Sequence, residues 1–337
     1  MYLNTVPKLY RMLRYPRIMY QFCFKSMLKF SAEKFMNRNL FHDRAKRTGK
    51  AVGRSFISNE DFNIMLKEKI LSDKPFYCCR YGNSELTACF YSIIREKDII
   101  CKISDVLLKR AKTGPGVFPE NEKMYLGFAH EYTNALKNAD MNAYWGCVLM
   151  EEYMIDTFMR KDCVQYAMRA LEPFWYDEPW SLALKGKKVL AVHPFAQLLE
   201  EQYKKRNEIF PDKEIMPDCQ FKAVKAIQSS GETVPEDYCD WHEALDALYE
   251  KCMMEDFDTA LLACGSYAVP LASRLKSAGK QAIVLGGMMQ LMFGIKGARW
   301  EQSRPDIVAM YNDAWTRAGQ EYQVKDSNKM VDGAAYW

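Results

Sequence analysis

The chain lacks any apolar run long enough to cross a bilayer. Its longest uncharged stretches, Thr259–Ser273 and Gln281–Ile295, fall short of the roughly 20 residues a spanning helix needs, and both contain Gly or Pro. It also lacks a secretory signal: the N-terminus is basic, but its uncharged run Ile18–Phe24 is broken by Gln21 and has no cleavage site behind it. Zinc-site spacing is missing too. None of the eleven cysteines forms a Cys-x-x-Cys pair, and the histidines His42, His130, His193 and His242 stand at no metal-ligand interval. Several cysteines fall inside apolar runs, where a thiol behaves as a small hydrophobe, so a reducing cytosol is the simplest setting. There is no repeat and no low-complexity tract. Apolar residues at 49% and charged residues at 27% exclude disordered and collagen-like classes.

What is present is unevenly placed along the 337 residues. Residues 1–50 hold twelve Lys or Arg against Glu33 and Asp43, a surplus of +10, which leaves about −6 for the rest of a chain whose total is +4. Within that basic segment, residues 17–36 read as a helix. Arg17, Gln21, Lys25, Lys29 and Glu33 form a polar stripe at i,i+4 spacing, and Ile18, Met19, Phe22, Phe24, Met27, Leu28, Phe30, Phe35 and Met36 cover most of the remainder. Two readings stand: packing on a protein core, or peripheral contact of residues 1–36 with an anionic membrane surface. No nucleic-acid partner is expected, and the oligomeric state is left open.

From residue 51 onward the pattern alternates. A helix capped at Asn59 runs to Leu71, Pro75–Arg80 is a short buried strand, and Ser84 caps a helix over 85–95. Helices over 103–112 and 121–138 follow, separated by Thr113-Gly114-Pro115-Gly116, and Met141–Gly146 is a second strand. After residue 185 come strand Lys187–His193, helix 195–207, strand Phe221–Ile227 and helix Asp237–Glu255. Strand Thr259–Cys264, helix 267–278 and strand Gln281–Leu285 complete the series. Such alternation predicts an α/β, Rossmann-like fold with a mostly parallel, doubly wound sheet. The expected layout is a basic extension over 1–50 and one domain over 51–337, with sub-halves 51–184 and 185–300 and a tail over 301–337.

Open parallel sheets bind ligands beyond the carboxyl ends of their strands. Polar or glycine-bearing elbows stand there at Arg80-Tyr81-Gly82-Asn83-Ser84-Glu85, His193-Pro194-Phe195, Gly265-Ser266-Tyr267 and Gly286-Gly287, the last leading to Lys296 and Arg299. Gly265 allows a phosphate to approach the free N–H groups of a helix start, although a plain tight turn would look the same and the three-glycine dinucleotide fingerprint is missing. Asn83 and Glu85 lie two residues apart at a helix start, where both can face one ligand or metal; equally, they can be capping and first-turn residues. His193 can exchange a proton near neutral pH or be structural. Lys296 and Arg299 can neutralise a diphosphate. Trp175, Trp180, Trp300, Trp315 and Trp337 can stack on sugars, though packing is the commoner role.

The elbow Arg80–Glu85 resembles the Arg-x-Gly-Asp-x-Glu signature of GT-D-type glycosyltransferases, whose Asp-x-Glu carboxylates are associated with a divalent metal and the sugar-nucleotide diphosphate. The chain is also similar to relatives encoded with bacterial surface-polysaccharide genes, through Lys187–Phe195, Ala263–Pro270, Gln281–Trp300 and Val331–Trp337. The likeness runs from about residue 55 to the C-terminus. Asn83 stands where the signature has its first carboxylate, and Glu85 matches the second.

The resemblance implies transfer of a sugar from a nucleoside diphosphate donor, a UDP-sugar above all, to a surface polysaccharide or lipid-linked glycan acceptor. It implies Mn²⁺ or Mg²⁺ at Asn83 and Glu85, weakened by the loss of one negative charge. Donor binding is expected at Arg80, Gly82, Asn83, Ser84, Gly265, Ser266, Tyr267, Gly286, Gly287, Lys296 and Arg299, with Glu85 and His193 as the candidate bases. A cytoplasmic enzyme, peripheral at the inner face of the membrane, would meet such acceptors. The competing expectation is an inactive component that binds nucleotide sugars or glycans, favoured by Asn83; a methyltransferase or dehydrogenase is a third.

Overall fold

The structure, a computed structural model, describes residues 54–146, 150–231 and 234–322. The predicted helix over 17–36 and the motif Val331–Trp337 lie outside the described residues.

Seven short strands form one sheet: β1 (Phe76–Cys79), β2 (Met141–Tyr144), β3 (Val164–Ala167), β4 (Lys188–His193), β5 (Gln220–Lys225), β6 (Thr259–Leu262) and β7 (Gln281–Val284). All neighbours pair in parallel, in the spatial order β3-β2-β1-β7-β6-β4-β5. The connecting helices are α1 (Asn59–Leu71), α2 (Asn83–Glu96), α3 (Asp105–Thr113), α4 (Glu122–Lys137), α5 (Glu151–Phe158), α6 (Ala196–Lys204), α7 (Trp241–Met253), α8 (Ala268–Ser277), α9 (Met288–Met292) and α10 (Ala298–Ser303). Two-residue strands β8 (Ile295–Lys296) and β9 (Thr316–Arg317) make a separate ribbon.

Strand periodicity explains the layering. In β1, Tyr77 and Cys79 point into a core with α2, α4, α7 and α8, while Phe76 and Cys78 point into a second core with α1, α6 and α9. Both faces are therefore covered, which is why the strands read as continuous apolar runs. The chain leaves β1 for β2 and β3, crosses to β4 and β5, and returns through β6 to β7. Phe76 then pairs with Gln281 and Cys78 with Ile283, so the strands of 51–184 and of 185–300 share one sheet. The fold is α/β, Rossmann-like and doubly wound.

Several boundaries differ from the sequence expectation for local reasons. Ser58, not Asn59, caps α1, accepting the Asp61 N–H at 3.0 Å. Gly82, not Ser84, is the N-cap of α2, so that helix begins at Asn83. Helix α7 starts only at Trp241, because Asp240 accepts the N–H groups of His242 (2.8 Å) and Glu243 (3.0 Å). Edge strand β3 and helix α5 were not expected from the sequence; β3 carries Gln165 and is half-buried at its start. No helix among the described residues is long and apolar enough to cross a membrane.

Candidate functional site

The carboxyl ends of six strands open into one cleft of about 470 Å³. It is lined by Arg80–Glu85 after β1, Trp145 after β2, His193–Phe195 after β4, Ile227–Ser230 after β5, Ala263–Ala268 after β6 and Gly286-Gly287 after β7. Arg110, the loop Thr113–Pro115, Tyr132, Gln290 and Arg299 complete it. The four elbows singled out in the sequence thus meet in one place, at the edge where open parallel sheets carry their ligands.

Glycine is needed at two of these elbows for different reasons. At Gly82 the backbone is ordinary, with φ −99°, but a methyl group there would lie 2.0 Å from a Glu85 carboxylate oxygen. The Glu85 carboxylate, at the third helical position, therefore folds back against Gly82 at the start of its own helix. Tyr132 lies beside it: burial, then charges that include Glu85, push that phenol well above its usual range. At Gly286 the backbone is left-handed, with φ +57°, and a methyl group would lie 1.7 Å from an Arg80 guanidinium nitrogen. Arg80 is held there by donating to the Leu285 carbonyl at 3.2 Å, with its guanidinium carbon 5.7 Å from the centre of the Trp145 ring.

Trp145 is itself fixed from beneath. Glu151, fully buried, accepts the N–H groups of Trp145 at 2.7 Å and Gly146 at 2.9 Å, and the Tyr81 hydroxyl at 2.5 Å. Burial, then the Glu151 charge, pushes the Tyr81 phenol well up, so it remains a donor. The sequence reading missed Trp145, Glu151 and Arg110. Trp145-Gly146 follows a strand and so carried the same signal as the other elbows. Arg110 lies mid-chain in α3, where nothing local marks it.

Ser266 and Tyr267 line the cleft but are committed to its wall. Ser266 donates to the Pro115 carbonyl at 2.5 Å and accepts from the Trp241 indole at 3.0 Å. Tyr267 stacks on Trp241 with ring centres 5.1 Å apart, and its hydroxyl meets Ser229 at 2.7 Å. One 3₁₀ turn, Gly265–Tyr267, separates β6 from α8. Lys296 is not among the lining residues: β8 pairs with β9, and the ammonium lies 5.3 Å from the centre of the Tyr311 ring. Of the tryptophans expected at sugars, Trp180, Trp300 and Trp315 are buried in the core, and Trp175 is exposed outside the cleft. Trp337 lies outside the described residues.

His193 is buried, and its Nδ1 accepts the Phe195 N–H at 2.9 Å. The ring proton of the neutral form therefore sits on Nε2, which makes the side chain a donor rather than a base. Burial lowers its pKa from 6.5 to about 3. The unfolded chain takes up this proton near pH 6.5 and the folded protein only near pH 3, so acidification between those values favours unfolding. Stability from this group is complete above about pH 6.5 and is expected to fall by at most about 1.4 kcal/mol per pH unit on the way down. Urea denaturation of wild type and His193→Gln across pH 4–7 checks this. The difference in slope should vanish if the imidazole is solvated and titrates normally.

The residues at the α2 start do not by themselves make a resident metal site. Glu85 offers one carboxylate and Asn83, exposed, one amide oxygen. Among the described residues no group of three His, Cys, Asp or Glu could hold a metal ion. The positive charge of the cleft comes instead from Arg80, Arg110 and Arg299.

No family model matches the chain, and no curated protein matches it. Among solved structures, it is similar to a selenomethionine-substituted structure of domain of unknown function 1792. That likeness has 12% identity, covers 77% of this chain and 97% of that one, and has a TM-score of 0.36. The α/β fold is shown by the seven parallel strands and their order.

Proposed function

We propose that this protein is a glycosyltransferase that moves a sugar from a nucleoside diphosphate donor, a UDP-sugar, to a glycan acceptor. The observation that supports this most is the meeting of the Arg80–Glu85 elbow with those at His193, Gly265 and Gly286 in one cleft lined by three arginines. Guanidinium groups placed where charge develops stabilise a departing diphosphate. In the reaction an acceptor hydroxyl oxygen bonds to the anomeric carbon while the bond from that carbon to the diphosphate oxygen breaks. The electron pair leaves on the diphosphate, and Glu85 takes the hydroxyl proton. His193, with its proton on Nε2, does not fill that role, and Glu85 is the base of this single, inverting displacement.

Because the arginines supply the positive charge, a divalent metal is not required in this scheme. Purified protein with a panel of UDP-sugars and glycan acceptors is expected to release UDP, and to continue in EDTA. Collapse of turnover in EDTA with recovery in Mn²⁺ would overturn the metal-independent part. Binding of UDP-sugars without turnover on any acceptor would favour the non-catalytic binding role instead.

The surplus of +10 in residues 1–50 would hold the enzyme at an anionic cytoplasmic leaflet, beside lipid-linked acceptors. Deleting residues 1–36 is expected to weaken binding to phosphatidylserine vesicles, and the lost part should be salt-sensitive. Equal binding by both proteins refutes this role.

A further inference from the structure

Charge is distributed unequally along the cleft. Its Arg, Lys, Asp or Glu lining residues are Arg80, Glu85 and Arg110, in the segment that follows β1, and Arg299, in α10; Arg80, on the Leu285 carbonyl, and Glu85, against Gly82, stand at the ends of β1 and β7, the two strands paired at the centre of the sheet. The segments that follow β4, β5 and β6 contribute none; burial lowers the His193 pKa and raises that of Tyr267, so both rings are neutral at physiological pH. That uncharged half is also pre-formed. The Gly231 N–H donates to the Thr113 carbonyl at 3.2 Å, Ser229 is tied to Tyr267, and Ser266 to Pro115, so two loops and the β6 elbow make one fixed wall. From β2 to β5 the strand ends cover five inter-strand steps, about 24 Å at roughly 4.8 Å each, which is room for an extended sugar nucleotide.

Resting on the nucleotide-sugar reading above, we infer that the donor lies in one direction in this cleft. The uracil base sits over the β4–β6 ends against Ile227, Gln228 and His193, and the diphosphate sits over the β1–β7 pair. The sugar then faces Glu85 and Trp145, and Gln228 is the residue that selects the base. A diphosphate loses its hydration at great cost away from cations, so it belongs with the arginines. The base is then left with two ends to choose from. Only the β4–β6 end leaves the sugar beside Glu85; the opposite orientation would place the base against Trp145 and carry the reacting carbon away from the carboxylate. A uracil edge presents acceptor, donor and acceptor in sequence. The His193 Nε2–H supplies a donor, and the half-buried Gln228 amide supplies both a donor and an acceptor.

Calorimetric titration of UDP, uridine monophosphate and inorganic pyrophosphate into the full chain tests this, with thermal melting as the folding control. Gln228→Ala is expected to weaken UDP and uridine monophosphate by about tenfold, the loss of a neutral hydrogen bond, and to leave pyrophosphate unchanged. Ile227→Trp, which fills the uncharged half, should do the same by steric exclusion. Arg299→Ala should weaken UDP and pyrophosphate together. Wild-type UDP affinity in Gln228→Ala and Ile227→Trp overturns the orientation while leaving the nucleotide reading intact. A wild-type protein that binds neither UDP nor pyrophosphate removes that reading itself, and the orientation with it.

Discussion

Glu85→Gln is expected to lower sugar transfer by about 10²- to 10⁴-fold, the range for loss of a general base, with melting changed little. Glutamine keeps the length and a carbonyl oxygen that can still reach back over Gly82, so a helix-capping role survives the change while proton acceptance does not. UDP affinity should stay near wild type, because the orientation proposed for the donor places Glu85 at the sugar. Gly82→Ala provides an independent route to the same result. Its φ of −99° and ψ of 158° suit alanine, but the methyl group would lie 2.0 Å from the Glu85 carboxylate oxygen and must displace it. That variant should fold with near-wild-type stability and transfer sugar poorly. Normal kcat and KM in both variants would show that Glu85 is only a cap.

The two variants also separate the parts of the site that the sequence made legible from those it did not. Residue pattern alone placed Arg80–Glu85, His193, Gly265 and Gly286 at strand ends, because buried parallel strands read as apolar runs and the elbows carry glycine or a polar residue. It could not show that a Gly82 substituent would meet Glu85, or that Gly286 must be small for Arg80. Those two contacts depend on side-chain direction, which sequence spacing does not carry. Arg110 was hidden for a related reason: it reaches the cleft from a helix that begins 26 residues after β1 ends, judged from Cys79 to Asp105. Edge strand β3 escaped because it is only partly buried and contains Gln165, so it has neither a full apolar run nor a clear alternation.

His193 illustrates the reverse case, a residue correctly placed but chemically recast by its surroundings. A histidine beside a strand end invites a role in proton exchange near neutral pH. The Phe195 N–H on Nδ1 and the burial of the ring remove both its free lone pair and its ability to charge. The activity profile should therefore show no histidine inflection between pH 6 and 7, and any acid limb there would belong to another group.

Arg54→Ala is expected to destabilise the protein by about 3–5 kcal/mol, the cost of leaving a buried carboxylate without its cation. Glu152 is fully buried and accepts Arg54 Nε at 2.9 Å and Nη2 at 2.6 Å, and the same guanidinium also meets Asp156 at 2.6 Å. The Tyr144 hydroxyl donates to Glu152 as well, but a neutral donor cannot replace a charge in a dry site. Arg54→Lys should recover only part of the loss, since an ammonium cannot supply two parallel donors to one carboxylate while also facing Asp156. Glu152→Gln in the Arg54→Ala background should recover more, because it removes the stranded charge itself. Urea denaturation of the three variants makes the comparison. A loss under about 1 kcal/mol for Arg54→Ala would mean that the pair behaves as a solvated surface bridge. The effect reaches the cleft through the next residue: Glu151, adjacent to Glu152 in α5, holds Tyr81 and the Trp145 backbone in place. Loosening the start of α5 should therefore weaken binding of the donor sugar before it touches the arginines that hold the diphosphate.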